Sequence, residues 1–407
     1  CENIAIGSCA LYYGSFGWDI AIGQYAGCQA MGGCNITVGA CSLVFGGQAN
    51  VALGHGAMMG SAYGGGSGSG SGAYPQDFYN VAVGFCAMGG TACCNCCNVG
   101  VGTFALANVT NMAIATAVGY AAGCAGTNFA CGGIAIGPYA NIYLNQGTIG
   151  IGCQTLNGFT GVAYDALAVG NQAMFCGNGG GGNTAIGNGA FYYSNTNMCY
   201  NTVLGANAGP GAFGGNGNAS NNIAIGLSAL AGGCCAGCNV VIGNYAGALT
   251  SGCNNVVVGH NSLLCNANNA SCNVVLGVCS MTSALPTGVT GNVAVGWQAL
   301  KTNCASSNTA VGTQALQANT TGGLNTAVGT LALNANTSGC YNIAIGSNAL
   351  LLNTTGSCNV AIGPSALRSN TTGTYNTAIG FCAMSCNTCG CYNTAIGEQA
   401  LRCNTTG

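Results

Sequence analysis

Short apolar runs and polar turn residues alternate along the whole chain in one recurring phrase, Asn-x-Ala-(Ile/Val)-Gly. Residues 342–346 and 393–397 are clean copies of it. Counted by their closing glycines, there are 23 copies, and from Gly329 to Gly397 each lies 17 residues after the last. Elsewhere the step varies from 15 to 21 residues, with one gap of 30. Such a period is typical of a stack of similar supersecondary units.

One period of the repeat reads Asn-Thr-Ala-Ile-Gly-x-x-Ala-Leu-x-x-Asn-Thr-Thr-Gly near the C-terminus. The β-branched residue favours a strand, and a glycine in every period disfavours a helix. We therefore predict a strand, a turn, a second short strand at the apolar step Ala-Leu, and a turn at Asn-Thr-Thr-Gly. The predicted fold is an all-β, parallel β-roll or β-solenoid of about 23 short coils. Its structural turn glycines include Gly296, Gly312, Gly329, Gly346, Gly363, Gly380 and Gly397.

The alternation of side chains along each strand separates two faces. Threonine and isoleucine point one way, whereas asparagine, alanine and glycine point the other. We expect the Ile/Val columns to form the coil interior. The opposite Ala/Gly face would then pack against another chain, or alanine would simply fill a narrow interior.

Regularity divides the chain into two parts. Residues 1–290 are predicted to form irregular coils with a Gly/Ser-rich insertion at 64–79, and residues 291–407 regular 17-residue repeats, in one continuous solenoid. The insertion is either a tolerated surface loop or a contact site. Both ends of the chain are in phase with the repeat, so we expect a piece of a longer array or a subunit that stacks end to end.

The repeats from Asn292 to Gly407 resemble the head repeats of YadA-type trimeric adhesins, and resemble still more the repeat arrays of phage and giant-virus tail-fibre proteins. The resemblance implies a left-handed parallel β-roll, usually trimeric, that serves as a stalk or a receptor-facing head. Two features depart from the adhesins: the coil is longer, and the chain has 30 cysteines. These departures favour a virion or extracellular fibre over an anchored autotransporter.

Charge excludes several functions. The chain has three basic and five acidic residues, so no basic surface for nucleic acid is expected. Glycine and asparagine interrupt every apolar run, so no membrane insertion is expected. The acids lie in different coils, which argues against paired catalytic carboxylates, and we expect neither enzyme activity nor a cofactor.

His55 and His260 are predicted to be exposed turn residues. The clusters at 93–97 and 234–238 lack the paired knuckles of a zinc site.

Cysteines and sequons recur in register with the repeat. Stacked coils would bring some cysteines within disulfide distance, or the thiols would replace alanine and serine. The disulfide candidates are Cys253 with Cys272, Cys340 with Cys358, and Cys386 with Cys391. Nine sequons are predicted to lie on exposed turns, where they are glycosylated or simply favour a turn. They are Asn35, Asn108, Asn218, Asn269, Asn319, Asn336, Asn353, Asn370 and Asn404.

These observations predict a structural or adhesive fibre protein, the shaft or head of a virion tail fibre or another extracellular appendage. Its expected partners are other copies of itself, as a homotrimer or end to end, and a host-surface glycan or receptor. Its expected location is extracellular or on a virion surface. The alternative is a monomeric β-solenoid that binds an ordered surface such as ice or polysaccharide, or that stacks into an extracellular filament.

Overall fold

The computed structural model describes most of the chain. The described residues are 2–13, 17–30, 32–43, 45–59, 79–89, 96–108, 114–124, 132–141, 147–157, 165–177, 180–194, 198–209, 219–232, 237–248, 252–264, 270–282 and 288–407. They form two compact units, residues 1–200 and 201–407. The predicted change of regularity at residue 290 stays a prediction.

In the first unit, the described residues contain eleven three-residue strands, each ending directly before a repeat glycine, and four two-residue strands. They are β1 (Ile4–Ile6), β2 (Ile20–Ile22), β3 (Gln29–Ala30), β4 (Ile36–Val38), β5 (Phe45–Gly46), β6 (Val51–Leu53), β7 (Val81–Val83), β8 (Val99–Val101), β9 (Thr116–Val118), β10 (Ile134–Ile136), β11 (Ile149–Ile151), β12 (Leu167–Val169), β13 (Cys176–Gly177), β14 (Thr184–Ile186) and β15 (Tyr193–Ser194).

The second unit has twelve three-residue strands in its described residues. They are β16 (Thr202–Leu204), β17 (Ile223–Ile225), β18 (Val240–Ile242), β19 (Val256–Val258), β20 (Val274–Leu276), β21 (Val293–Val295), β22 (Thr309–Val311), β23 (Thr326–Val328), β24 (Ile343–Ile345), β25 (Val360–Ile362), β26 (Thr377–Ile379) and β27 (Thr394–Ile396).

Within each unit, the strand of one coil pairs in parallel with the strand of the next. The register places equivalent residues opposite each other, as with Ala344 and Ala361 in β24 and β25. The two-residue strands form two separate parallel pairs, β3 with β5 and β13 with β15. The predicted class is confirmed: the described residues form an all-β, parallel β-solenoid with a period of about 17 residues. Left-handedness and a trimeric state stay predictions.

The prediction of a second strand at Ala-Leu is wrong for the regular coils. Asn348 and Leu350 both have positive φ, 58° and 50°, so the chain turns twice within three residues instead of extending. Leu350 still donates its backbone N–H to the Ala366 carbonyl of the next coil, at 3.0 Å. The Ala-Leu step is therefore a tight turn that keeps the hydrogen bonding between coils.

The predicted Ile/Val interior is wrong, and the alternative, that alanine fills a narrow interior, is confirmed. Ala344, the middle residue of β24, is fully buried, whereas its neighbours Ile343 and Ile345 are 39% and 40% exposed. Ala349 and Leu350 complete the interior from the turn. Because a coil of about 17 residues encloses little volume, leucine or methionine from the turn fills most coils, and the strand side adds alanine in most coils and valine in a few, such as Val257.

The repeat glycine is required by the close approach of successive coils. At Gly346, φ is 132°, and a Cβ would lie 2.6 Å from the backbone carbonyl carbon of Gly363. Residues other than glycine rarely adopt this backbone conformation. All seven of the turn glycines from Gly296 to Gly397 share it, with φ between 126° and 137°.

Candidate functional surfaces

A ladder of mostly buried asparagines occupies the position just before most of the three-residue strands, and we call it the strand ladder. In one step, Asn325 Oδ1 accepts both the backbone N–H of Asn342, at 3.0 Å, and its Nδ2–H, at 3.1 Å. Asn342 Nδ2 also donates to the Gly356 carbonyl at 2.9 Å. Each amide thereby satisfies backbone groups that face away from water, as buried polar groups must be.

A second ladder, the turn ladder, uses the asparagine of Asn-Thr-Thr-Gly. Asn336 Nδ2 donates to Asn319 Oδ1 of the preceding coil at 2.7 Å and to the Gly339 carbonyl at 3.0 Å. The same pattern continues through Asn353 and Asn370. The asparagines of the turn ladder from Asn303 to Asn387 are fully buried.

The turn ladder overturns the expectation of exposed sequons. Asn319, Asn336, Asn353 and Asn370 are fully buried, and Asn35 is 1% exposed. Because an N-linked glycan would replace a hydrogen on Nδ2, and both hydrogens are used inside the coil, the folded chain is closed to glycans at the turn-ladder positions. Asn108 is exposed and Asn404 half-buried; glycosylation there stays a prediction. Asn218 and Asn269 lie outside the described residues.

A column of Ser, Thr and Cys side chains stands six residues before each repeat glycine in the last coils, and we call it the acceptor column. Gly323 N–H donates to Cys340 Sγ at 3.4 Å, and Cys340 N–H donates to Ser357 Oγ at 3.0 Å. Thr374 donates through its N–H, at 3.3 Å, and its hydroxyl, at 3.4 Å, to Cys391 Sγ. These hydrogen bonds, the hydroxyl's first, lower the pKa of the Cys391 thiol. Cysteine Sγ here accepts the same backbone hydrogen bond that Ser357 Oγ accepts in its coil.

The six predicted disulfide cysteines are all thiols in the structure. Cys340 lies in the acceptor column, whereas Cys358 is one position further along its coil, where φ is 57° and its side chain contacts Tyr375. Cys253 and Cys272 are offset in the same way. Disulfide formation therefore stays a prediction.

Aliphatic side chains cover the outer side of the sheet in both units, and we call this surface the aliphatic face. The third residue of every described three-residue strand is Ile, Val or Leu, and each of these side chains is exposed or half-buried. In the first unit they are Ile6, Ile22, Val38, Leu53, Val83, Val101, Val118, Ile136, Ile151, Val169 and Ile186. In the second they are Leu204, Ile225, Ile242, Val258, Leu276, Val295, Val311, Val328, Ile345, Ile362, Ile379 and Ile396.

The aliphatic face has a regular grid. Coils repeat every ~4.8 Å and the first and third strand residues lie ~7 Å apart, so the face covers on the order of 400 Å² in either unit. The first strand position is Ile, Val or Leu in most coils and threonine in the others, such as Thr309 and Thr377. An exposed apolar surface of this size usually marks an interaction site.

Five rings form a second exposed feature, the aromatic column, just after the repeat glycines of five successive coils in the first unit. Its members are His55, Phe85, Phe104, Tyr120 and Tyr139. Successive ring centroids are 5.5, 5.7, 6.1 and 5.2 Å apart. His55 is exposed, and so is His260, whose ring centroid lies 6.4 Å from that of Tyr245. Sequence reasoning missed this column because each coil contributes only one ring.

The chemistry of the surface is otherwise sparse. No group of three or more His, Cys, Asp or Glu side chains among the described residues could hold a metal ion. Asp77, Cys93, Cys94, Cys234, Cys235 and the insertion up to residue 78 lie outside those residues. The described part of the chain contains no helix with the length and apolarity needed to cross a membrane.

Comparison with known proteins leaves the fold and these surfaces as the basis for function. No protein family model matches the chain, and no curated protein matches it significantly.

Proposed function

We propose that this chain is a non-enzymatic structural protein that self-associates through its aliphatic face to build an extracellular or virion fibre. The observation that carries the proposal is the exposed or half-buried Ile, Val or Leu at the third position of every described three-residue strand in each unit. A single globular surface rarely leaves such a row in water, because covering it is worth about 25 cal/mol per Å² of apolar area.

A second copy of the chain is the partner that fits the aliphatic face best. Its side chains repeat every ~4.8 Å along the stack, and another copy has the same repeat, so ridges of one face can enter the grooves of the other over many coils. The face is also free of charged residues, as the cores of obligate interfaces tend to be. The resemblance to trimeric adhesin and tail-fibre repeats favours a homotrimer.

Two charged substitutions test the self-association. Ile345→Lys with Ile362→Lys places two charges on the aliphatic face, and the oligomer should dissociate in sedimentation velocity because a buried, unpaired ammonium is strongly unfavourable. Ser347→Lys with Pro364→Lys is the matched control, since both residues are exposed and lie just beyond the repeat glycines. Equal dissociation of the two double variants, or none in either, would contradict the proposal.

The adhesive role, within the same proposal, is assigned to the aromatic column. Aromatic rings present apolar surface with a polar tip in tyrosine, and repetition along the stack converts weak contacts into avidity. Phe104→Ala with Tyr120→Ala should reduce retention on immobilised host-surface glycans at least tenfold. Tyr375→Ala with Tyr392→Ala, a stacked pair elsewhere with ring centroids 5.0 Å apart, should not; equal retention by all three proteins would remove the assignment.

The exposed threonines favour a second candidate, a monomeric solenoid that binds an ordered surface such as ice or crystalline polysaccharide. Sequence parity predicted that these threonines face inward, but the structure places Thr309, Thr326 and Thr377 half-exposed beside the aliphatic column. Thermal hysteresis at micromolar concentration would support this candidate. A fibre subunit that covers the same face with its own copies should show none.

A further inference from the structure

One position of the strand ladder is occupied by an aspartate instead of an asparagine. The ladder of the first unit runs through Asn3, Asp19, Asn35, Asn50 and Asn80, and Asp19 is only 2% exposed. A carboxyl group at this place has the shape of the asparagine amide but a different hydrogen content. Its protonation state therefore decides whether the step is complete.

The hydrogen bonds of Asp19 show which proton is missing. Asp19 Oδ1 accepts two hydrogen bonds from Asn35, one from the backbone N–H at 2.9 Å and one from Nδ2–H at 3.1 Å. It therefore occupies the position that asparagine Oδ1 has at the other steps of the ladder. Oδ2 thus stands where the other steps have Nδ2, a donor. Asn3 Oδ1, the acceptor of this step, receives the Asp19 N–H at 2.9 Å. Among the described residues, Asp19 Oδ2 is the one buried side-chain oxygen or nitrogen without a hydrogen-bond partner.

We propose that Asp19 is a proton-operated latch that fastens the first coil to the second. In the neutral form, the carboxyl O–H supplies the missing donor to Asn3 Oδ1 and completes the ladder. In the ionised form, Oδ2 stays buried without a hydrogen-bond donor, and opening of the first coil restores its hydration. The closing ligand is a proton from solvent, and no bond other than O–H forms or breaks.

The electrostatic surroundings support the direction of the switch. Burial raises the pKa of Asp19, and the hydrogen bonds from Asn35 oppose this effect. The titratable groups on its own and the two adjoining coils, within the described residues, are Glu2, Cys9, Tyr12, Tyr13, Tyr25, Cys28, Cys34 and Cys41. None is a cation, and no Lys or Arg precedes Lys301, so within this part of the structure the two hydrogen bonds from Asn35 are what opposes the effect of burial.

The sign of the pH dependence follows from the raised pKa. Because the folded coil binds the proton more tightly than the open coil, the latch contributes its full stability below the ordinary pKa of aspartate. That stability falls as pH rises through the folded-state pKa of Asp19. The opening equilibrium changes about tenfold for each unit by which the pKa is raised.

Hydrogen exchange tests the latch. Ile4 N–H donates to the Asp19 carbonyl at 2.8 Å and Trp18 N–H to the Glu2 carbonyl at 3.1 Å, so peptides spanning residues 2–22 report opening. After correction for intrinsic exchange, wild-type protection should fall at least tenfold between pH 3 and pH 8. Asp19→Asn should be fully protected and flat across this range.

Two further variants separate the latch from other effects. Asn342→Asp should transfer the pH dependence to the coil around β24, and Glu2→Gln should leave the wild-type profile unchanged. The proposal is overturned if wild-type protection is flat, if Asp19→Asn keeps the wild-type slope, or if Glu2→Gln abolishes it. Asp19→Asn places in the ladder the residue that most of its other positions have.

Discussion

At the scale of single residues, side-chain size decides what a coil of this length can enclose. In most coils, alanine or valine occupies the strand side of the interior and leucine or methionine the turn side, as at Ala378 and Met384, both fully buried. The leucines that fill the coil hold positive φ, 51° at Leu316 for example, a conformation costing on the order of 1 kcal/mol or more. Burial of the leucine side chain offsets this cost in the coils that have a leucine there.

Gly346→Ala should destabilise the second unit by about 3 kcal/mol or more, because the new Cβ would meet the Gly363 backbone at 2.6 Å and φ is 132°. The measurement is the urea midpoint followed by circular dichroism. Gly237→Ala is the matched control, since its Cβ would find only the Ser220 carbonyl oxygen at 3.6 Å. Equal midpoints for the two variants would show that close coil approach does not require glycine at position 346.

At the scale of the element, each regular coil near the C-terminus is held to the next by its strand and by two ladders of asparagine side chains. The strand is only three residues long, so the asparagine ladders contribute a large share of the contacts between coils. They also fix register, because an amide shifted by one residue would leave buried acceptors without donors.

Asn342→Ala should lower the free energy of unfolding by about 3 kcal/mol, since Asn359 loses the acceptor of its N–H and Nδ2–H and the Gly356 carbonyl loses a donor. Asn334→Ala is the comparison: its amide also donates between coils, at 3.0 Å to Gln314, but the side chain is half-buried and water can replace the bond. A cost for Asn342→Ala no greater than for Asn334→Ala would argue against the strand ladder as a stabilising element.

Cys340→Ser should leave stability within about 0.5 kcal/mol of wild type, because a hydroxyl already serves the acceptor column at Ser357. Cys340→Ala should cost about 1 kcal/mol, since the Gly323 N–H then loses its acceptor. Urea unfolding under reducing conditions measures both. A large loss in Cys340→Ser without reductant, reversed by reductant, would instead show that Cys340 forms a disulfide.

The sequence alone predicts where each strand ends, because the repeat glycine marks the close approach of coils, and it predicts the all-β class. It does not predict which strand face is inside. Parity separates Ala344 from Ile343 and Ile345, but choosing between the two faces needs the enclosed volume, which depends on Leu350 in αL conformation. The burial of Asn336 was missed for a similar reason: one turn sequence fits an exposed loop and an internal ladder equally well.

At the scale of the whole molecule, both units present the same aliphatic face to water. Each interior is thin and built from alanine, leucine, methionine and asparagine, so the largest aliphatic side chains of the strands remain outside. Packing these faces together would give an assembly a core that one chain does not have. The near absence of charge on the chain is consistent with a surface made for association with its own copies.

The molar mass in solution, measured by light scattering over a dilution series, tests the central claim that the aliphatic face is covered by other copies of this chain. One chain has a mass of 39.5 kDa. We predict three times this mass, maintained on dilution to nanomolar concentration. A stable mass of one chain throughout would contradict the fibre account and favour the monomeric surface-binding solenoid.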